Sequence, residues 1–534
     1  MFLRCSIIVY KNRTYRGKVS EQNEESVVHK TDMKTDVLVL GSGIAGCVAA
    51  YTLAKQGVQV TMVTSSIDPR QSGSYAEHEG IAYSGEGDSV DLFEGDLQTV
   101  GGRLTCSRAI EHVASEGPRL IDELLIDELR IPFDRGSEGG LVRQQEPGHS
   151  CARVIRCGDA TGREIIEALL KKLVEAPNVA ILDSHTAVEL ITLGKHSTKH
   201  GDLYKKPTCV GVYVLDKRSR EVVSCLAKET ILATGGFGQI FQYNTSAAPA
   251  RGDGLVMASR AGARILNLQM LQFHPLTFYA PNTAQCRLPE VLRQRGGEVL
   301  SHKGSSFMEK HHEAGSKAPR SLVTLAAYRE MIDTDADHLW LDLRKADLAW
   351  LQTKYPGLFT FCSEQGFDAT KDLLPVVPAA HCCNGGVVAD KHGQTTIHRL
   401  RAIGEVSCTG MHGVDRLPAT SLLESLVWGN SCAQDIAKEI KRFAYYIPSV
   451  TDWVHRDLEF DPTLTHQDWN TIKHTMWNYV GLDRDRRRLR RAQAVLRDLQ
   501  WEIEAQCSEA HISDALVGLR NGVASALLVA EAQC

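Results

Sequence analysis

An apolar strand that runs directly into spaced glycines constrains this chain more than any other feature. Residues 35–40, TDVLVL, are rich in β-formers, as a strand buried on both faces requires. Gly41-Ser42-Gly43-Ile44-Ala45-Gly46 follows at once, and CVAAYTLAKQG (47–57) reads as a helix ended by Gly57. VQVTMVT (58–64) is a second strand, so the three segments form a βαβ unit with G-x-G-x-x-G at its first turn. There Gly41 permits the tight turn, Gly43 lets the backbone approach a pyrophosphate, and Gly46 lets helix and strand pack closely. The helix start offers free N–H groups and the positive end of its dipole to the phosphates. The expectation is a dinucleotide site. The acid that commonly takes the ribose is absent, and the hydroxyls of Thr64-Ser65-Ser66 stand in its place.

At 534 residues the chain has room for two or three domains beyond that unit. A content of 43% hydrophobic and 23% charged residues is that of a globular protein, and a net charge of -5 favours neither nucleic acid nor an anionic membrane as partner. The longest apolar stretches, such as Gly522–Ala530, fall short of the ~20 residues that span a bilayer, so no transmembrane helix is expected. Fifteen scattered cysteines with no C-x-x-C pair imply reduced thiols in a cytosol-like compartment. His381-Cys382-Cys383 is the one metal-like cluster, but adjacent residues do not suit tetrahedral zinc, and no metal is expected. Residues 1–32 carry Arg4, Lys11, Arg13, Arg16 and Lys18 with no acid before Glu21. They read as a disordered extension, with Met33 as a second candidate start. The protein is expected in the cytoplasm, with targeting to an organelle through 1–32 as the alternative.

ETILATGGFG (229–238) is another strand entering glycines, followed by RGDG (251–254) before a helix. Added to GSGIAG are DATGRE (159–164), QFHP (272–275), APR (318–320), VPAAH (377–381), GEVSCTGMHG (404–413) and SLLE (421–424). In this order the motifs resemble the succinate dehydrogenase/fumarate reductase flavoprotein family, from about residue 35 to 525. The TG-x-HG form at 409–413 is similar to the branch that oxidises L-aspartate. The resemblance implies an α/β fold: a Rossmann-like FAD-binding domain (33–267 and 383–445), an inserted α+β capping domain (268–382) and a C-terminal helical domain (446–534). The tail segment 483–506 reads as a helix with Leu489, Val495, Leu496, Leu499 and Trp501 inward and its arginines on a solvated face.

The same resemblance implies one FAD per chain. Gly41, Ser42, Gly43, Ile44, Ala45 and Gly46 would form the pyrophosphate turn, with Ser65 beside the ribose. Ser72, Gly73, Ser74, Tyr75, Ala76 and Gly80 would run along the flavin, Thr186 and Ala187 near the adenine, and Asp253, Glu405, Ser421 and Leu422 would complete the site. Ser72-Gly73-Ser74 stand where the dehydrogenases carry a tethering histidine, which implies non-covalent FAD, although His78 lies a few residues later. His274, His381 and Arg416 would bind substrate carboxylates, and Arg320 would transfer the proton. Arginine is an unusual base, since its pKa ordinarily exceeds ~12. It would need nearby cations or a relay. Glu146 has two readings, the acid that takes the substrate ammonium or a solvated loop carboxylate.

The implied activity is oxidation of L-aspartate to iminoaspartate with O2 or fumarate as acceptor, the first step of NAD biosynthesis, with quinolinate synthase taking the product. Departures from the family pattern stand near the inferred pocket: Leu276, Pro289, Arg295, Cys382 and Asp415. They keep two alternatives open, a fumarate-reducing or succinate-oxidising flavoprotein and a catalytically impaired FAD-binding homologue.

Overall fold

The structure, a computed structural model, describes residues 33–280, 286–442 and 445–534; the extension 1–32 lies outside them. Its largest sheet contains β1 (Met33–Leu40), β2 (Val60–Val63), β3 (Val179–Leu182), β4 (His185–Thr192), β5 (Cys209–Asp216) and β6 (Glu221–Leu232), in the spatial order β3-β2-β1-β6-β5-β4. β1 is parallel to β2 and β6, with Leu40 opposite Val63 and Leu232, so three strand ends meet at one edge. The later segment Leu400–Ala402 returns to this sheet and pairs in parallel with the end of β6. It can do so because β5 pairs only with Glu221–Leu226 and frees that edge.

α1 (Ile44–Lys55) crosses from β1 to β2, and the expected βαβ unit is present. α1 is buried on nearly every side because the helix Ser421–Arg442 packs along it. Val37, Val39, Val48, Ala49, Leu53, Leu423 and Val427 fill that core. The opposite sheet face is covered by the helices Asp253–Arg260 and Asp514–Ala532.

A second sheet joins β7 (Leu271–Phe278), β8 (Glu298–Leu300), β9 (Leu339–Asp342) and β10 (Leu374–Cys383) in the order β7-β10-β9-β8, all antiparallel. It has its own core of Leu276, Phe278, Leu288, Leu292, Val323 and Val377. The β7–β10 register slips between His274 and Thr277, where Pro275 has no N–H to give to the ladder.

Helix Arg486–Glu509 agrees with the tail reading except at two residues, Val495, which is only half-buried, and Trp501. Leu489, Ala492, Leu496, Leu499 and Ile503 form its buried stripe at three- and four-residue spacing, while Trp501 is 75% exposed. Two residues beyond Leu499, Trp501 is carried round to the outer side. Asp514–Ala532 is long and apolar enough by composition to cross a membrane, which the sequence reading did not recognise. Its apolar side chains are buried against Arg486–Glu509 and Pro462–Thr475.

The described cysteines are all free thiols. Burial pushes Cys47, Cys157, Cys225, Cys362 and Cys432 up to about 12, so they hold little thiolate at pH 8. Iodoacetamide on the native protein is therefore expected to mark exposed Cys106 and Cys534 first, and these five only after denaturation. Peptide mass spectrometry reads the order, and early labelling of Cys47 would contradict the packing around α1.

Candidate active site and cofactor cleft

The ends of β1, β2 and β6 open on a cleft of about 360 Å³. Gly41, Ser42, Gly43 and Ala45 form one wall, with Ser65, Ser72, Gly73, Ser74 and Ala76 beside them. Ala187, Thr234, Gly235, Gly236, Asp253, Glu405, Ser421 and Leu422 continue the lining. At Gly41 φ is +114° and a Cβ would stand 2.1 Å from the Ala233 carbonyl oxygen, so glycine is required. A Cβ on Gly46 would stand 2.1 Å from the Gly41 carbonyl oxygen. Gly43 is different, since only the Ser74 hydroxyl lies within 4 Å of that position and the backbone faces open space. These are the turn, packing and close-approach roles read from the motif.

The cleft suits FAD on its own chemistry. α1 begins there with no side-chain cap and no acid in its first turn, leaving its dipole for an anion. Thr234 Oγ1 and Asn384 Oδ1 are buried without a hydrogen-bond partner. Asp253 accepts from Asn521 Nδ2 at 2.8 Å and ion-pairs with Arg251 at 3.1 Å, which fixes its carboxylate. Glu405 stands deep in the cleft but faces its solvent, and burial pushes its carboxyl upward against the pull of Arg416.

Several expected cofactor residues are placed elsewhere. Thr186 faces away from the cleft, donating to Asp514 Oδ1 at 2.7 Å, and its neighbours His185 and Ala187 line the wall instead. Strand alternation explains this, because adjacent side chains point to opposite faces. Tyr75 reaches Glu167 at 2.9 Å, away from the cleft. Ile44 is buried in the α1 core, and its N–H is taken by Ser74 Oγ at 3.2 Å. A Cβ on Gly80 would stand 2.2 Å from the Ile155 carbonyl oxygen, so Gly80 and Gly46 serve packing. His78 lines the cleft, with Nδ1 3.0 Å from the Asp159 carbonyl oxygen.

At one end of the cleft β10 delivers His381. Its Nε2 lies 2.9 Å from an Arg416 guanidinium nitrogen and 3.0 Å from one of Arg287. A guanidinium only donates, so Nε2 must accept, and the single ring proton sits on Nδ1. That nitrogen donates to Thr245 Oγ1 at 2.8 Å. Burial, Arg287 and Arg416 hold the His381 pKa well below the usual histidine range, in agreement with a neutral ring. His274, on β7, is fully buried with its ring centroid 5.8 Å from that of His381. Its Nε2 is 3.3 Å from Glu290 Oε1, yet neither atom has an aligned hydrogen bond. Burial, Arg287 and Arg320 keep this ring neutral as well.

Arg320 opens the helix Arg320–Thr334 behind Pro319. It donates to the Arg416 carbonyl oxygen at 3.4 Å and lies 3.9 Å from Asp415. The four expected cationic positions thus meet in one region, although only His381 and Arg416 line the cleft itself. Glu146 is already committed to Arg156, whose other nitrogen bonds Tyr355 Oη at 2.5 Å, and it does not line the cleft. It is therefore an ion-paired, largely buried carboxylate rather than a solvated one. Burial pushes its carboxyl upward, opposed by Arg156.

Two of the departures do not face the pocket. Leu276 is fully buried in the core of the second sheet, and Arg295 is at the surface, 4.1 Å over the Trp350 ring and 3.7 Å from Asp347. Cys382 does line the cleft, and Asp415 accepts from Gln272 Nε2. Sequence reading missed Arg287, Glu77 and Glu79. Arg287 is 8% exposed, pairs with Glu77, and lies 3.6 Å from Glu79 Oε2. Burial opposes charge on Glu79, but Arg287, Arg320 and Arg416 outweigh it and hold the carboxyl below its usual range. His412, bonded to Glu424 at 3.1 Å, also lines the cleft and was visible in TG-x-HG.

Comparison with known proteins converges with this geometry. The FAD binding domain family model matches residues 36–422. L-aspartate oxidase 1 of Ralstonia nicotianae is 34% identical over 501 residues, covering 93% of this chain and 92% of that protein. L-aspartate oxidase of Yersinia pestis is 36% identical over 504 residues, covering 93% and 92%. Among solved structures, a quinol-fumarate reductase with menaquinol superposes with a TM-score of 0.82 at 20% identity, covering 94% of this chain and 90% of that one.

Proposed function

We infer the function from one premise: this chain belongs to the L-aspartate oxidase family. It oxidises L-aspartate to iminoaspartate, and O2 is reduced to hydrogen peroxide. The observation that carries this reading at the site is the convergence of His274, Arg320, His381 and Arg416 at one end of a cleft shaped for FAD. When bound, FAD would supply the acceptor for the hydride equivalent from Cα and the route for two electrons to oxygen. The protein supplies position and charge.

Arg416 anchors a substrate carboxylate, since its guanidinium fork matches carboxylate geometry and its charge survives burial through Glu77, Glu405 and Glu79. His381, neutral with its proton on Nδ1, holds that guanidinium in place. His274 presents a buried Nε2 without an aligned partner toward the same region. Arg320 acts as a relay for the proton lost from the substrate nitrogen, accepting it only as it gives up one of its own toward Asp415, and Asp415 and the Arg416 carbonyl fix its head. We place FAD non-covalently, because Ser72-Gly73-Ser74 offer no histidine where the tether would stand. The second sheet, which delivers His274 and His381, serves as a cap whose closure excludes water around Cα. The free thiols support a cytoplasmic setting, and an unstable imine product supports coupling to quinolinate synthase.

Anaerobic mixing of the holoenzyme with L-aspartate, succinate or D-aspartate tests the reading. L-aspartate is expected to bleach the flavin, and succinate and D-aspartate to do so far more slowly. Faster bleaching by succinate would make this a succinate-oxidising flavoprotein, and none by any of the three would make it an inactive homologue.

A further inference from the structure

Arg287 and Glu77 form a buried ion pair on the cleft wall, beside His381 and Arg416. Their side chains are only 8% and 13% exposed. Burying two charges costs more than one pair returns unless further partners are supplied. Apart from Glu79 at 3.6 Å, the partners present are poor. The second Arg287 nitrogen shares His381 Nε2 with Arg416, so two guanidiniums compete for one ring lone pair. Burial pulls the Arg287 pKa down, but Glu77 and Glu79 raise it above the ordinary arginine range, so the charge stays. Arg287 is also rigidly placed, since its backbone bridges to Thr277 of β7. Glu77 sits on the segment that carries Ser72, Ser74 and Ala76 along the cleft.

We propose that the Arg287–Glu77 pair recognises the amino-acid end of the substrate by exchange: Arg287 takes the α-carboxylate and Glu77 takes the α-ammonium. The swap replaces one internal ion pair by two intermolecular ones and leaves the total charge unchanged. It also gives both guanidiniums on His381 a carboxylate to bond, with Arg416 holding the side-chain carboxylate. Glu146, committed to Arg156 and Tyr355, is left as a supporting group. A dicarboxylate without an ammonium satisfies Arg287 but leaves Glu77 unpaired beside it. The pair thus discriminates aspartate from succinate.

The proposal rests on the reading of this site as one for L-aspartate, and two ligands separate the two claims. Calorimetry on the FAD-loaded enzyme gives the affinity for succinate and, under anaerobic conditions, for L-aspartate, with the KM of L-aspartate wherever turnover occurs. A hydrogen bond to a charged group contributes about 1.5–3 kcal/mol, or about ten- to hundredfold in affinity. Glu77→Gln is expected to weaken L-aspartate by about tenfold or more and to leave succinate as tight or tighter. Glu77→Asp, which keeps the carboxylate, should restore part of the preference. Arg287→Leu should weaken both ligands, with Arg287→Lys intermediate and FAD affinity retained in each. A unchanged aspartate-to-succinate ratio in Glu77→Gln overturns the proposal, as does a ratio that collapses in Glu146→Gln instead. Wild-type protein that binds both ligands without bleaching refutes the oxidase reading alone, and one that binds neither refutes both.

Discussion

Arg320→Leu is expected to slow anaerobic flavin reduction by L-aspartate by about 10²–10⁴-fold, the usual contribution of a positioned proton-transfer group. FAD should remain bound. The separation follows from placement. Arg320 starts a helix of the second sheet's unit and touches the Arg416 carbonyl and Asp415, but it is not among the residues lining the FAD cleft. Stopped-flow absorbance reads the rate, and the flavin spectrum after gel filtration reads the cofactor. A rate within a few-fold of wild type would move proton transfer to another group. Loss of flavin on gel filtration would show that Arg320 supports the cofactor site as well.

The second large effect is expected at the turn. Gly41→Ala forces an L side chain to φ of +114° and places its Cβ 2.1 Å from the Ala233 oxygen. Backbone strain of about 1–3 kcal/mol adds to a packing cost of about 1–3 kcal/mol. The relief available is a shift between β1 and the end of β6, which would spoil the turn that faces the phosphates. The variant should purify without flavin and melt several degrees lower. Gly57→Ala is the matched control, since φ there is +78° but nothing lies within 4 Å of the added methyl. It should keep its flavin. Gly41→Ala protein that remains yellow and melts like wild type would contradict the turn's assigned role.

What the sequence made legible was local. The strand–glycine–helix order fixes the βαβ unit within 30 residues, and the structure has it where the glycines put it. The cationic cluster was legible only through resemblance, because His274, Arg320, His381 and Arg416 come from separate elements. Errors arose where one residue of offset decides a direction. Thr186 and Ala187 exchange faces by strand alternation, and Trp501 leaves its helix stripe by two residues. Leu276 follows a proline bulge that turns it into the apolar core. Arg287 and Glu77 were not legible at all, since each gains its meaning from a partner 210 residues away in the chain.

The last helix carries a consequence for the order in which the molecule is completed. Asp514 bonds both Thr186 and Arg251, Asn521 bonds Asp253, and Ser525 packs so closely that a Cβ on Gly252 would stand 2.0 Å from its hydroxyl. The RGDG turn, and with it the carboxylate of Asp253, is therefore held from the far end of the polypeptide. During synthesis the glycine-rich turn at 41–46 leaves the ribosome hundreds of residues before these contacts exist. That wall of the cleft is completed only once residues 514–525 have been made, and a chain shortened before residue 514 lacks its buttress however well its first strands have formed.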